Sequence, residues 1–526
     1  MKNQVMKIYD IIFVSGDYGV DHPLNALGVL KRVLEGNGFS VGVIEKPDWT
    51  KNNDFLKLGK PRLFFGITSG SVDSMLQNYT SLKKPRKDDA HAPFDSKIPD
   101  RTVIVYANKI KQLFKDSIMV IGGVESSLRR FVHYDYWDNK LRKSILLDSR
   151  ADILVYGAGE FPIVEIARRI KENQNIEGIE STCRLSNKIP QGFKILPSYE
   201  DVVKDKTAFC KMQLMLSNKD NLAQKFENRY VLQYKAHNYT TKELDYIYGL
   251  QYTRNIPKKA AKEFKKIQFS VVTHRGCIGK CNFCSITLLF GDKIVSRSEE
   301  SILDEIRRLT KHPDFKGYID DLGGPSANMY GMDCEMSNDC RNDCINCSRL
   351  RKDHSKLIQL LRKARAIEGV KKIFVRSGIR YDLALESQEY IKEISLHHIS
   401  GCLKIAPEHF SKKVLDLMNK NNDRFYEFKN IFDKFNKKLN QSLRYYFMTA
   451  HPGSEIDDVK LLRKKIGELS NTEKIQIFIP TPMTVSTCMY YTSMNPQTLK
   501  KIYVPYTYNE KKKQKNILYN KKKRIE

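Results

Sequence analysis

Several things this chain does not contain narrow its function before any motif is read. Across its 526 residues there is no apolar run of about 18 or more, so no helix is expected to span a membrane. Met1-Lys2-Asn3-Gln4 leads almost directly into an apolar strand pattern. It lacks the apolar core of a secretory signal and the Arg- and Ser-rich character of a transit peptide, so a cytoplasmic location with no membrane partner is expected. No internal repeat is evident, which excludes a repeat array. Acidic residues are in deficit: 61 Asp and Glu against 90 Lys and Arg leave a net charge of +29. Such a charge would steer RNA, DNA or another polyanion to the surface. It is spread along the chain, however, and Lys, Asn and Ile are abundant throughout, as AT-rich coding would produce. Nucleic acid is therefore an alternative partner and not the favoured one. The basic end from Lys511 to Arg524 reads as a solvated tail.

What is present divides into four stretches. Residues 1–175 alternate short apolar runs, expected as strands over 11–16, 40–44, 62–68, 117–122 and 151–157, with amphipathic patterns after Asn25, Asp100 and Phe161. Strands alternating with helices imply a parallel sheet, hence a Rossmann-like α/β domain. Its strand ends carry turn chemistry at Gly16, Gly122-Gly123 and Gly157-Ala158-Gly159-Glu160, where ligands of open α/β sheets sit. Residues 176–265 are polar and poor in strand patterns, and are expected as a helical connector. Residues 266–500 resume the alternation, with strands expected over 267–273, 318–322, 372–376, 402–405, 444–449 and 475–479. Between them, helical patterns include 298–311, 354–368 and 455–469. Six such units fit a partial (β/α)6 TIM-like barrel with its chemistry at the carboxyl ends of the strands. Residues 501–526 form the basic C-terminal tail.

Eleven cysteines in a chain with no signal read as metal ligands where they cluster, because the cytosol keeps thiols reduced. Cys183, Cys210, Cys402 and Cys488 are scattered and read as small buried hydrophobes. The first expected barrel strand runs into Cys277-Ile278-Gly279-Lys280-Cys281-Asn282-Phe283-Cys284. Thiols spaced C-x3-C-x2-C on one loop can ligate three irons of a 4Fe–4S cluster and leave the fourth iron open. Gly276 and Gly279 let the backbone wrap closely around it. A structural zinc would want a fourth ligand from elsewhere.

That motif, with an aromatic residue at Phe283, resembles the cluster loop of the radical S-adenosylmethionine (SAM) superfamily. The resemblance narrows to the YgiQ-like family through six further motifs, which are Gly16-Asp17-Tyr18-Gly19-Val20-Asp21-His22-Pro23, His133-Tyr134-Asp135-Tyr136-Trp137, Gly324-Pro325-Ser326-Ala327-Asn328-Met329-Tyr330, Ala406-Pro407-Glu408-His409, Ala450-His451-Pro452-Gly453-Ser454 and Pro480-Thr481-Pro482-Met483-Thr484. They run in order from about residue 10 to 500. The resemblance implies an enzyme, an oxidoreductase or transferase, in which the open iron binds the amino and carboxylate groups of SAM. An electron from the cluster cleaves a carbon–sulfur bond, and the resulting 5′-deoxyadenosyl radical abstracts hydrogen from a substrate. It also implies a reducing electron donor such as flavodoxin or ferredoxin.

Other positions follow from that frame. Phe283 is expected near SAM. Gly323-Gly324 resembles the glycine pair whose backbone meets the methionine part of SAM. Ser377, Arg380, Glu408 and His409 lie at the correct ends of their strands to touch SAM or substrate. Hydroxyl and carboxylate groups suit ribose hydroxyls, and Arg suits a carboxylate. Cys334, Cys340, Cys344 and Cys347 lie in a polar insertion and suffice for a second closed site, either zinc or an auxiliary iron–sulfur cluster. The N-terminal domain resembles a cobalamin-binding domain, but Asp21 and His22 are adjacent and the D-x-H-x-x-G motif is absent, so ligation of cobalamin by histidine is not expected. Two rival functions remain: an RNA-modifying, methylthiotransferase-like radical SAM enzyme, and a non-catalytic, metal-stabilised nucleic-acid-binding protein.

Overall fold

Short apolar strands separated by amphipathic helices hide their apolar faces by forming parallel sheets covered by helices. The computed structural model does this in two units. It describes residues 7–86, 98–334, 340, 343–437, 439–469 and 475–519. The chain divides into an N-terminal unit, residues 1–238 with 250–268, and a C-terminal unit, residues 239–249 with 269–526.

The N-terminal unit is built on a nine-stranded sheet. Strands β1 (Ile11–Ser15), β2 (Val41–Glu45), β3 (Phe64–Thr68), β4 (Ile118–Ile121) and β5 (Ile153–Val155) are parallel in the order 2-1-3-4-5. Every side chain of β1 is buried, as a central strand covered on both faces requires. Helices Ala26–Gly36, Thr102–Leu113 and Glu160–Lys171 follow β1, β3 and β5 as the periodicity anticipates. The first is capped by Asn25, whose side chain accepts from the Gly28 backbone N–H.

Residues 176–265 are not a helical connector. They contribute β6 (Thr182–Ser186), β7 (Lys194–Leu196), β8 (Leu222–Phe226) and β9 (Arg229–Gln233), which extend the same sheet in the order 5-6-9-8-7. The contacts β5–β6, β6–β9 and β9–β8 are antiparallel. Buried polar side chains conceal these strands from a hydropathy reading. Gln224 and Gln233 are both fully buried. Gln224 accepts from the Val132 N–H at 2.9 Å, and Gln233 accepts from Arg130 Nε at 2.7 Å and donates to the Ser217 carbonyl at 2.8 Å. Glutamines with all their hydrogen bonds made can occupy a core position.

In the C-terminal unit, β10 (Ser270–Val272) pairs in parallel with β11 (Asp321–Gly323). Tyr318–Ile319, just before β11, pairs with β12 (Lys372–Ile373), and a parallel bridge from Ile379 to Ile405 leads to β13 (Cys402–Glu408). β14 (Ser442–Thr449) and β15 (Gln476–Ile477) complete the series. Six parallel strands thus stand side by side in chain order, with helices Glu299–Leu309, Ser355–Arg365, Gln388–His397, Phe425–Asn436 and Ile456–Gly467 between them. This is the partial (β/α)6 barrel that the alternation implies. Its core runs from Val271 through Ile319, Ile373 and Leu403 to Tyr445.

The C-terminal end is not a solvated tail over its described part. Helix Tyr508–Tyr519 buries Lys511, Gln514 and Leu518. Gln514 accepts from the Ala450 N–H at 2.9 Å and donates to the Ser454 carbonyl at 2.6 Å, while Lys511 donates to the Tyr490 hydroxyl at 2.8 Å. Charge alone suggests solvation here; the packing of one helix face decides otherwise. Residues 520–526 lie outside the described residues. No described helix is long and apolar enough to cross a membrane.

Candidate cofactor site

The chain leaves β10 into a loop whose base is tied off by antiparallel pairing of His274–Arg275 with Val295–Ser296. Gly276 lies at that base with φ +89°, and a Cβ there would stand 1.7 Å from the Lys293 carbonyl oxygen. Only glycine combines this left-handed backbone with so close an approach. Further along, the Asn282 backbone N–H donates to the Met418 carbonyl at 2.9 Å and its side-chain amide to the Leu417 carbonyl at 3.0 Å. Asn419 donates to the Lys280 carbonyl at 2.9 Å, and the Ser486 N–H to the Asn282 carbonyl at 2.9 Å. The loop is therefore held by elements that follow β13 and β15, far away in sequence.

Cys277, Cys281 and Cys284 are free thiols, each half-buried on this loop. The Cys284 N–H donates to the Cys281 carbonyl at 3.0 Å and closes the C-x2-C turn. Burial pushes the Cys277 thiol above its ordinary range and that of Cys284 up to about 11. Thiolates in such a place need a positive partner. One stands beside them: Arg380 Nη1 lies 3.9 Å from Cys281 Sγ. Its Nε donates to Asp382 Oδ1 at 3.0 Å, and Nη2 donates to Oδ2. Burial alone would raise the Asp382 carboxyl, but Arg380 holds it below the ordinary range. Gly279 makes room for this pair, since a Cβ there would be 2.5 Å from Arg380 Nη1 and 3.4 Å from Cys277 Sγ.

The remaining predicted positions line the same strand ends. Glu408 closes β13 with φ +66°. Burial pushes its carboxyl up to about 7, against the pull of Lys420, and its charge is felt at Cys284. Ser377 donates from its hydroxyl to Asp321 and from its N–H to the same carboxylate at 3.1 Å. Gly323 faces Ala327 and Ser377, and a Cβ on Gly324 would stand 2.6 Å from the His274 ring. Phe283 packs edge-on against His451 with ring centres 6.5 Å apart, and His451 is held by Ser486 Oγ at 2.7 Å. His409 is buried and accepts from the Ser411 N–H at 2.9 Å. Asp382 and Lys420 escape a sequence reading because no local pattern marks a residue that meets the loop only after folding.

Among the described residues, no group of three or more His, Cys, Asp or Glu side chains is close enough to hold a single metal ion. A four-iron cluster asks for a different arrangement, one thiolate for each ligated iron. Three thiols on one loop, two glycines that bring the backbone close and a guanidinium beside the sulfurs fit such a cluster with one iron left open.

Comparison with known proteins gives the family. A family model described as Radical SAM N-terminal matches residues 1–270. A UPF0313 protein of Clostridium botulinum (strain 657 / Type Ba4) is 42% identical over 98% of this chain and 86% of its own length. This chain belongs to the UPF0313, YgiQ-like family of radical SAM proteins. A UPF0313 protein of Methanocaldococcus jannaschii is 43% identical over 97% of this chain and 89% of the relative. Among solved structures, the radical SAM methyltransferase TsrM from Kitasatospora setae, with cobalamin and a [4Fe-4S] cluster bound, shares the fold. Its TM-score is 0.55 at 14% identity, over 92% of this chain and 76% of that one. The chain is thus a radical SAM enzyme, and its family implies a 4Fe–4S cluster and SAM.

In this radical SAM chain the second cysteine group also takes on a definite setting. Cys334, Cys340, Cys344 and Cys347 are free and half-buried; residues 335–339 and 341–342 lie outside the described residues. Cys334, Cys344 and Cys347 pack on a buried cluster of Ile278, Ile294, Met329, Met332, Leu350 and Leu383, and so does Cys277.

The strand ends of the N-terminal unit are occupied by their own side chains. A Cβ on Gly16 would meet the Ser69 carbonyl oxygen at 2.3 Å, and Asp17 accepts from the Ser71 N–H at 2.6 Å. His22 is fully buried, accepts from the Leu24 N–H at 3.0 Å and reaches the Gln268 carbonyl at 3.0 Å. Burial, then Arg254, push its ring down to about 3, so it stays neutral. Both ring nitrogens are engaged inside the unit.

Proposed function

We propose that this enzyme holds a 4Fe–4S cluster on Cys277, Cys281 and Cys284, binds SAM at the open iron and cleaves it reductively. The observation that carries this reading is the three-thiol loop at the end of the first barrel strand, with Arg380 against its sulfurs. When bound, the cluster supplies the electron that breaks a carbon–sulfur bond of SAM and yields the 5′-deoxyadenosyl radical that takes hydrogen from the substrate.

The chain's own residues bind and orient. Gly323 and Gly324, packed against Ala327 and the His274 ring, would offer their backbone to the methionine part of SAM. Glu408, about half protonated near neutral pH, can donate to or accept from ribose hydroxyls. Asp321 fixes the Ser377 hydroxyl, and Phe283 forms a wall braced by His451. Arg380 offsets the charge of the thiolates. The electron comes from a flavodoxin- or ferredoxin-class donor in the cytoplasm. His22 is not assigned as a ligand of cobalamin, because its ring is engaged by Gln268 and Leu24.

The test is anaerobic reconstitution with iron and sulfide, reduction with dithionite in the presence of SAM, and assay of 5′-deoxyadenosine. Product from the wild type and none from Cys277→Ala is expected. Zinc in place of iron, with no 5′-deoxyadenosine, would overturn the reading in favour of a metal-stabilised binding protein.

A further inference from the structure

Of the motif at 324–330, the function above uses only Gly324. A second residue of that motif, Asn328, is fully buried and grips the backbone of Arg380. Its Oδ1 accepts from the Arg380 N–H at 2.8 Å, and its Nδ2 donates to the Arg380 carbonyl at 2.9 Å. Backbone groups have fixed roles as donor and acceptor, so these two bonds also fix which end of the amide is oxygen. Beside it, the Ala327 N–H donates to the Gly378 carbonyl at 3.1 Å. A side chain thus takes the part of a neighbouring strand where the chain turns into helix Tyr381–Ala384. Asn328 Nδ2 also lies 3.3 Å from His354 Nε2. His354 is buried, and its ring stacks on that of Tyr390 with centres 4.5 Å apart. Burial pushes the His354 ring down to about 4, so it is neutral and can accept the second amide hydrogen.

From this arrangement we infer that Asn328 is a positioning residue for the cluster: by holding the Arg380 backbone it keeps the guanidinium against the Cys281 sulfur and so sets the potential at which the cluster takes up its electron. The inference rests on the cluster reading for Cys277, Cys281 and Cys284. A guanidinium is placed no better than the backbone that carries it. The far end of this one is tied to Asp382, to which Nε donates at 3.0 Å, and Nη1 then stands 3.9 Å from Cys281 Sγ. A charge near 4 Å loses about a fifth of its Coulomb energy when it retreats by about 1 Å. The reduced cluster carries one more negative charge than the oxidised one, so a loosened Arg380 weakens the reduced state more. The electron is still the one given up by the flavodoxin- or ferredoxin-class donor. Asn328 itself breaks no bond and moves no proton.

The experiment uses the full chain, anaerobically reconstituted with iron and sulfide. Iron and sulfide are counted, and the midpoint potential is taken from a redox titration followed by electron paramagnetic resonance. Asn328→Ala removes both bonds to the Arg380 backbone. It should retain iron and lower the potential by about 30–60 mV, a three- to tenfold loss in relative stability of the reduced cluster. In an Arg380→Gln chain the same substitution should shift the potential no further, because a positioning residue acts only through the group it positions. A merely structural role would lower the denaturation midpoint in both backgrounds and leave the potential alone. Asn328→Asp is the second variant should the alanine chain fail to fold. It keeps the size and the acceptor but loses the donor, and its added charge acts in both backgrounds and cancels from the difference between them. An unaltered potential with iron retained, or equal shifts with and without Arg380, overturns the inference. Failure of the underlying reading looks different: the wild type would then give no iron–sulfur signal to titrate, or Cys277→Ala would lose none of its iron.

Discussion

Both units rest on parallel strands and both bring glycines to the carboxyl ends of those strands, but the two sets of ends are filled differently. In the N-terminal unit the ends close on themselves: Gly16 sits against the Ser69 carbonyl, Gly70 against Asp17 and Gly123 against the Thr68 hydroxyl. Its histidine, His22, is neutral with both nitrogens engaged. In the C-terminal unit the ends present half-buried thiols, a carboxyl raised by burial and a guanidinium leaning on sulfur. The same topology therefore packs glycines tightly in both units: in the C-terminal unit, too, Gly276 sits against the Lys293 carbonyl, Gly279 against Arg380 and Gly324 against the His274 ring. Glycine position alone does not distinguish the units; the chemistry of the side chains beside the glycines does.

The comparison can be broken most severely at Gly276. A Cβ there meets the Lys293 carbonyl at 1.7 Å in a backbone at φ +89°. Gly276→Ala should therefore open the base of the loop and abolish iron retention on reconstitution, read by iron content and visible absorbance. A smaller effect is expected from Arg380→Gln, which leaves the cysteines in place and removes the positive charge beside them. The more negative, reduced cluster loses most, so its midpoint potential should fall, by about 60 mV for each tenfold loss of relative stability. A redox titration followed by electron paramagnetic resonance checks this. In the N-terminal unit, His22→Ala leaves buried partners without hydrogen bonds and should cost about 1–3 kcal/mol, read by urea denaturation, with iron content unchanged. If His22→Ala instead removed a cofactor signal and spared stability, the contrast between the units would fail.

The smallest effect concerns pH. The Glu408 carboxyl stands at about 7 in the folded chain against an ordinary value of 4.5. The folded chain holds that proton more tightly, so the stability it contributes is fully present below about pH 4.5 and is lost as pH rises through about 7. Glu408→Gln should flatten the fall in stability of the cluster-free chain between pH 5 and 8. Denaturant midpoints at several pH values measure it.

Much of the architecture is legible along the chain. The apolar run Ile11-Ile12-Phe13-Val14 and the alternating stretch Leu443-Arg444-Tyr445-Tyr446-Phe447 lie where strands form, because burial on a sheet imposes a short local period. The spacing of Cys277, Cys281 and Cys284 on one loop is likewise local, a property of neighbouring residues readable without the fold. The stretch over 182–233 is not legible, because Gln224 and Gln233 read as surface residues until Val132, Arg130 and Ser217 supply their partners. Helix Tyr508–Tyr519 is missed for the same reason, its Lys511 and Gln514 becoming core residues only against Tyr490, Ala450 and Ser454.

By itself, then, the sequence determined two parallel α/β units and a three-thiol loop, because strand period, helix period and ligand spacing are properties of neighbouring residues. Tertiary structure alone decided that Arg380, held by Asp382, meets the Cys281 sulfur beside Gly279, that Cys334, Cys344 and Cys347 share an apolar wall with Cys277, and that His22 is sealed inside its own unit. Each of these joins residues far apart in the chain, and a hydrogen bond or charge pair of that kind exists only once folding has brought both partners out of water together.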